Sequence, residues 1–253
     1  NKKRKRDGSP WWAVSVMMPS MDHREFWNRE YKTSAHLALS SESSDDLEKF
    51  TRFLERGYKR EFLNPFAKVV DLGCGNGRNL VYLANTYGMK GTGYDISDVA
   101  IEEARKASEG LPISYEVRSI SEPLPLADAS QTFVLDMMTS HFLREAQREA
   151  LRAEIVRVLK PGGWLFFKSF LADEDLHAAR LLREHPADEP GAYIHPALGV
   201  YEYAWREDAV HEFFDGHLEL HKFNKSHKHI NRGKIGEERA WKRRTFSAYL
   251  QKL

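Results

Sequence analysis

The sequence predicts an α/β protein: an open, mostly parallel sheet with helices on both faces. Three observations carry that expectation. Lys68-Val69-Val70-Asp71-Leu72-Gly73-Cys74-Gly75-Asn76-Gly77-Arg78 reads as a buried strand, a tight turn and a helix N-terminus. Strand-like and helix-like segments then alternate four times up to residue 171. Leu159-Lys160-Pro161-Gly162-Gly163 finally ends a helix and turns the chain into another apolar strand.

At 253 residues and 42% hydrophobic content the chain suits one large or two small domains with a sizeable core. The net charge of +1 hides a polarity. Of 38 Lys and Arg, five lie in residues 1–7 and ten in 217–253, against one and three acids there, so the body between is acidic. One cysteine excludes an internal disulfide and fits a reducing compartment. No apolar run reaches the length of a membrane span and no signal peptide is visible, which together predict an intracellular, cytoplasmic protein without a membrane partner.

Taken in order, residues 1–20 read as a tail outside the domain. Lys2-Lys3-Arg4-Lys5-Arg6 suits a nuclear address or a nucleic-acid patch as well as a solvated tail. The rest, residues 21–253, reads as one domain, with N-terminal helices over 21–63. The first of these spans 21–34 and gathers Phe26, Trp27 and Tyr31. Ser43-Ser44-Asp45-Asp46 makes a capping signal for a second, whose apolar stripe is Leu47, Phe50, Leu54 and Tyr58. After the glycine turn, Leu80, Leu83, Ala84 and Tyr87 continue as a helix, and Gly88 suits its C-cap.

Gly91-Thr92-Gly93-Tyr94-Asp95-Ile96 follows as a strand, and Ser97 can cap the helix after it. Residues 113–120 and 132–138 read as further strands, and Trp164–Leu171 as a fifth. Near the end, Glu207–Phe214 reads as a helix. His217–Ile230 and Ala240–Lys252 then read as two long strands joined by a glycine-containing loop.

The glycine turn leaves two ligand classes open. A dinucleotide fingerprint is G-x-G-x-x-G, with the pyrophosphate over the helix N-terminus. Here the spacing is G-x-G-x-G behind Asp71, an acid that repels a pyrophosphate and suits a ligand bearing an amino group. With Asp95 at the end of the second strand and the late Pro-Gly-Gly turn, the stretch resembles the class I S-adenosylmethionine-dependent methyltransferases, whose first motif is [DE]-x-G-x-G-x-G. The segments YKTSAHLALS and VVDLGCGNGRNL also look like uncharacterised bacterial methyltransferases.

That resemblance implies a Rossmann-like, mostly parallel seven-stranded sheet closed by an antiparallel C-terminal hairpin, with S-adenosyl-L-methionine as cofactor. It implies roles for Asp71 near the methionine ammonium, for Gly73, Gly75, Asn76 and Gly77 in the turn, and for Asp95 on the ribose. Ile96 would flank the adenine, and Ser119 and Ile120 stand where relatives often place an Asp for the adenine amino group. Trp27 and Tyr31 would form a lid. Asp136 would lie near the methionyl group or the nucleophile, and His141 could take a proton from an attacking amine or hydroxyl. A hydrogen-bonded wall residue is the other role open to His141, and Cys74 reads as a packing residue.

Residues 172–206 form an atypical insertion on the substrate side, with Tyr193, His195 and Tyr201 as candidates to roof the acceptor. No Cys/His cluster has metal-ligand spacing. Lys242, Arg243 and Arg244, with Lys222, Lys225 and the basic tail, make a phosphate-binding face for RNA or a solvated strand pair balancing the acidic body. The acceptor is thus a small molecule or RNA. A catalytically silent, cofactor-binding scaffold in a ribonucleoprotein assembly shares the same motif, and a dehydrogenase is a third reading.

Overall fold

The computed structural model describes residues 23–33, 40–226 and 243–253. The basic tail, Lys242 and the joining part of the C-terminal hairpin lie outside the described residues.

Nine strands and seven helices make up the described chain. Helix α1 (His23–Thr33) and α2 (Asp45–Tyr58) precede β1 (Lys68–Leu72), α3 (Arg78–Tyr87), β2 (Lys90–Asp95), α4 (Asp98–Ala107), β3 (Ile113–Val117) and β4 (Gln131–Met137). Then come a 3₁₀ turn (Ser140–Phe142), α5 (Glu145–Val158), β5 (Leu159–Phe170), α6 (Leu176–Glu184), β6 (Ala192–Ile194), β7 (Tyr201–Tyr203), α7 (Glu207–Phe214), β8 (Leu218–Lys225) and β9 (Thr245–Lys252).

Seven strands form one sheet in the order β3-β2-β1-β4-β5-β9-β8. The first five are parallel, and β9 runs antiparallel between β5 and β8. This is the mostly parallel sheet with a closing hairpin that the sequence predicts. Alternation along each strand sends neighbouring side chains to opposite faces. Val70, Leu72, Val134, Leu165 and Phe167 join a core with α5 and α7. Val69, Phe133, Leu135, Trp164 and Phe166 join a second core with α2, α3 and α4.

The helices start and stop where local chemistry dictates. The Ser97 hydroxyl accepts the Ala100 N–H at 3.1 Å and caps α4. Gly88, with φ 71°, closes α3 by donating its N–H to the Ala84 carbonyl. In α2, Leu47, Phe50, Thr51 and Leu54 fall on one buried stripe. Phe50 stacks on Phe166 at 5.1 Å and meets Phe133, Trp164 and Tyr249 edge-on or tilted, which fixes α2 across β4, β5 and β9.

Two expectations change. Residues 159–163 belong to β5 itself, with a shift of register against β4 between Gln131 and Phe133, where the sequence reads only a turn. Residues 172–206 hold helix α6 and the two-stranded sheet β6–β7, elements too short for periodicity to show.

Candidate functional site

The chain adds β2 and β3 on one side of β1, then crosses to place β4 on the other. Ligands of open α/β sheets bind at the carboxyl ends of the strands beside such a switch. A cavity of about 540 Å³ lies there, in the size range of small-molecule sites.

The glycine turn forms its floor. Gly73, Gly75 and Gly77 have φ of 74°, 55° and 76°, a region that L side chains rarely adopt. A β-carbon at Gly73 would collide with Thr139, and one at Gly75 with the Tyr31 hydroxyl, so the backbone itself forms the wall. The N–H groups of Gly73 and Cys74 both donate to the Tyr94 carbonyl, at 2.7 and 2.9 Å, which ties the turn to the end of β2.

Asp95 stands on the wall at 8% exposure. Its Oδ2 accepts the Gly75 N–H and its Oδ1 the Ser97 N–H, each at 2.9 Å. Burial raises its pKa above the ordinary carboxylate value, against the pull of those N–H groups. A carboxylate offers about four lone-pair sites, so two acceptor positions remain for a ligand.

Asp71 and Asp136 lie behind this wall, with 1% and 3% exposure. Asp71 Oδ2 has no hydrogen-bond partner, and burial with the nearby charges of Asp95 and Asp136 raises its pKa to about 7. Asp136 Oδ1 accepts the Ser140 N–H at 3.1 Å and so caps the 3₁₀ turn, and burial raises its pKa to about 6. His141 is buried between the rings of Phe142 and Phe170, its Nδ1 without a partner, and burial lowers its pKa to about 4. Burial likewise pushes the Cys74 thiol well above its usual range, which leaves it an inert packing residue.

Two straps complete the walls. Residues 40–44 are held to the start of α3 by Asn76 Nδ2 on the Ser40 carbonyl at 3.0 Å and by Arg78 Nη1 on the Glu42 carbonyl at 3.0 Å. Asn79 Oδ1 accepts the Ser44 N–H at 3.2 Å. Helix α1 crosses above. Its Asn28 accepts the Ser97 hydroxyl at 2.6 Å and donates to Asp98, which clasps α1 to the start of α4. Trp27 meets Phe142 edge-on at 5.3 Å on the far side.

The structure therefore gathers Gly73, Gly75, Asn76, Asp95, Ile96, Ser119, Ile120, Trp27 and Tyr31 around one cavity. Gly77 stands behind it as the N-cap of α3. The two candidate catalytic side chains, Asp136 and His141, do not reach the cavity. Asp136, on β4, turns its Oδ1 to the Ser140 N–H, and His141, inside the 3₁₀ turn, packs against the rings of Phe142 and Phe170.

Nor do Tyr193, His195 and Tyr201 roof it. Tyr193 donates to Glu202, which pairs with Arg243 at 2.7 Å. Tyr201 donates to Glu189 at 2.6 Å, and Glu189 pairs with the buried Arg148. These ion pairs draw the tyrosine hydroxyls into the core of the insertion, and His195 accepts the Leu198 N–H in its own turn.

In the described part of the basic hairpin Arg243 and Arg244 turn inward, whereas Lys222 and Lys225 stay exposed on β8. Arg243 lies on the Phe170 ring at 3.6 Å while it pairs with Glu202. Arg244 binds the Asp173 carbonyl and Glu174, and Lys225 pairs with Glu207.

Sequence reasoning gave no role to the wall residues Arg118, Phe142, Gln147 and Lys168, and none to Met137, Met138 and Thr139 beyond their place in 136–141, the ligand-binding end of β4. Lys168 left a signal, being the one charge inside the apolar run Trp164–Leu171. Met138 left none of its own. Its φ of 64°, unusual for a non-glycine residue, follows from the bend at the end of β4, where its N–H donates to the Lys168 carbonyl at 2.8 Å.

Residues 69–163 match a family model described as a methyltransferase domain. The chain is 31% identical over 143 residues to a glycine/sarcosine/dimethylglycine N-methyltransferase of Actinopolyspora halophila, covering 55% of this chain and 25% of that protein. It is 28% identical to a phthiotriol/phenolphthiotriol dimycocerosates methyltransferase of Mycobacterium ulcerans, over 72% of this chain and 64% of the relative. The chain thus spans less than two thirds of these curated relatives. Among solved structures, a SAM-dependent methyltransferase of Methanosarcina mazei superposes with a TM-score of 0.62 at 25% identity, over 77% of this chain and 96% of that one.

Proposed function

We propose, for a chain that belongs to the class I S-adenosylmethionine-dependent methyltransferase superfamily, that the cavity holds S-adenosyl-L-methionine and that the protein methylates a small acceptor. Asp95 carries this reading. It is a carboxylate on the wall of a cavity at the switch point, pinned by two backbone N–H groups and left with spare acceptor positions, which suits the paired hydroxyls of a ribose.

The other residues fit the same group. Ile96 and the buried Ile120 offer apolar surface to an adenine, and Ser119 stands beside them. The glycine turn admits the ligand close to the backbone. Asp71, with its unpartnered oxygen under the turn, supplies negative charge to an ammonium held above it. Tyr31 and Trp27 cover the site from α1. When bound, S-adenosylmethionine supplies a methyl group on a sulfonium whose departure leaves a neutral thioether. The chain's own task is then to exclude water and hold the acceptor in line, which needs little acid–base help. His141 and Asp136, behind the wall, serve that task by fixing the 3₁₀ turn.

A small acceptor is favoured over RNA by the inward turn of Arg243 and Arg244, which leaves a phosphate-binding face only the exposed Lys222 and Lys225 among the described residues. Among the described residues no helix is long and apolar enough to cross a membrane. The single cysteine supports an intracellular setting.

Calorimetry with S-adenosylhomocysteine and with NADH tests the cofactor. The first should bind and the second should not; the reverse would make the protein a dehydrogenase. Incubation of cell extract with methyl-labelled donor tests turnover. Label is expected in the small-molecule fraction. Label in RNA would overturn the small acceptor, and tight cofactor binding with no label anywhere would favour the silent scaffold.

A further inference from the structure

The cavity has two chemically different halves. Around the ends of β1 and β2 it is glycine backbone, Asp95 and short polar groups. Around the ends of β4 and β5 it is Met137, Met138, Phe142 and Leu143, with Trp27 from α1 and a single lysine, Lys168. That lysine pairs in register with Met137 at the carboxyl end of β5, and its side chain is only 19% exposed.

A largely desolvated ammonium needs a counter-charge. Asp46, in the first turn of α2, supplies one and shares it: its Oδ2 lies 2.7 Å from Lys168 Nζ and its Oδ1 2.8 Å from Lys49 Nζ. One carboxylate thus faces two ammoniums, Lys168 on the cavity wall and the exposed Lys49, and so offsets the charge of Lys168 only in part. An ammonium has three N–H donors, of which Asp46 engages one. Ser44 lines the cavity beside it, and its hydroxyl makes no capping bond to α2.

The other cations of the wall are spent elsewhere. Arg118 is taken up by Glu116, Glu122 and the Pro123 carbonyl. Arg78 gives its Nη1 to the carbonyls of Ser40 and Glu42 and stands at the start of α3, on the glycine-turn side of the cavity.

We infer that the β4–β5 half of the cavity takes a small apolar molecule bearing a carboxylate, with the carboxylate on the ammonium of Lys168 and the apolar body against Trp27, Phe142 and Met137. The inference rests on the methyltransferase reading, because it assigns the other half to the cofactor. Charge selects the class of anion: the single, partly offset charge of Lys168 matches a monoanion, whereas a phosphate dianion calls for an arginine fork or a nest of backbone donors. Volume selects its size, since one cavity of about 540 Å³ has to admit both cofactor and acceptor.

The test uses the full chain saturated with S-adenosylhomocysteine and compares phenylacetate with phenylacetamide by ligand-observed NMR titration. The wild type is expected to bind the carboxylate about tenfold more tightly, the usual worth of a hydrogen bond to a charged group. Lys168→Gln should bind the two probes alike while its affinity for S-adenosylhomocysteine stays within about twofold of the wild type. Asp46→Asn, which leaves Lys168 without its protein counter-charge, should bind phenylacetate several-fold more tightly.

Equal binding of the two probes by the wild type would overturn the proposal, as would a preference that survives in Lys168→Gln. A large loss of S-adenosylhomocysteine affinity in Lys168→Gln would also overturn it, by placing the ammonium on the cofactor's own carboxylate. If Lys168→Gln does not fold, Asp46→Asn decides: unchanged or weaker phenylacetate binding refutes the assignment. S-adenosylhomocysteine binding to the wild type is measured first. Its absence would sink the methyltransferase reading itself, a result distinct from loss of the acceptor preference.

Discussion

At the scale of residues, the acidic groups around the cavity divide by what holds them. Asp95 faces the ligand space and is pinned by N–H groups, so its replacement removes charge-assisted hydrogen bonds to the ligand. Asp95→Ala should weaken S-adenosylhomocysteine binding at least tenfold, from about 1.5–3 kcal/mol for a bond to a charged group, as read by calorimetry. His141 is buried and neutral. Because its folded pKa of about 4 lies below the ordinary 6.5, the unfolded chain binds its proton more readily. The resulting penalty is absent above about pH 6.5 and grows as the pH falls toward 4. Asp71, raised to about 7, acts the other way, its penalty growing as the pH rises from about 4 to 7. His141→Phe removes only the first. Its stability relative to the wild type should therefore improve by something on the order of 3 kcal/mol between pH 7 and pH 4, measured by urea unfolding. An equal difference at both pH values would show that His141 is not held neutral.

At the scale of elements, α1 and α2 do different work. Helix α2 is anchored by the aromatic cluster around Phe50 and forms part of the core. Helix α1 docks by its buried Phe26 and Glu30, by Asn28, which bridges Ser97 and Asp98, and by Trp27, which leans on Phe142. Asn28→Ala removes the clasp to α4 and should speed hydrogen exchange in His23–Thr33 by about thirtyfold, from roughly 1 kcal/mol for each of its lost bonds to Ser97 and Asp98. The exchange of β1 and β4 should stay unchanged. Slowed exchange in α1 on adding S-adenosylhomocysteine to the wild type would tie this element to ligand retention.

At the scale of the molecule, the parallel half of the sheet builds the cavity and the antiparallel half seals the core. The insertion of β9 between β5 and β8 places Phe246, Ala248 and Leu250 on one buried face and Tyr249 on the other, so the C-terminal strand completes both cores. A ligand that binds only the folded chain stabilises the whole cooperative unit. At one hundred times its dissociation constant, S-adenosylhomocysteine should add about 2.7 kcal/mol. For a domain of this size that raises the melting temperature by roughly 5–10 °C. A shift confined to a minor early transition would show instead that the cavity half melts separately.

Much of this was legible in the chain because local chemistry specifies it. The strand–glycine turn–helix, Asp95 at the end of β2, the Ser97 cap and the stripe of α2 each depend on residues close in sequence, where periodicity and φ preferences act directly. They specify the order of strands and helices and the glycine-turn side of the cavity. The fates of polar side chains in the long insertion depend instead on partners far along the chain. Tyr193 meets Glu202 and Arg243, Tyr201 meets Glu189 beside Arg148, and both tyrosines leave the site they were expected to roof. The same holds for His141, which packs on Phe170 of β5, and for Lys168, which α2 meets with Asp46. Which side of a wall a side chain occupies is decided by long-range packing and charge pairing, and those exist only in the folded molecule.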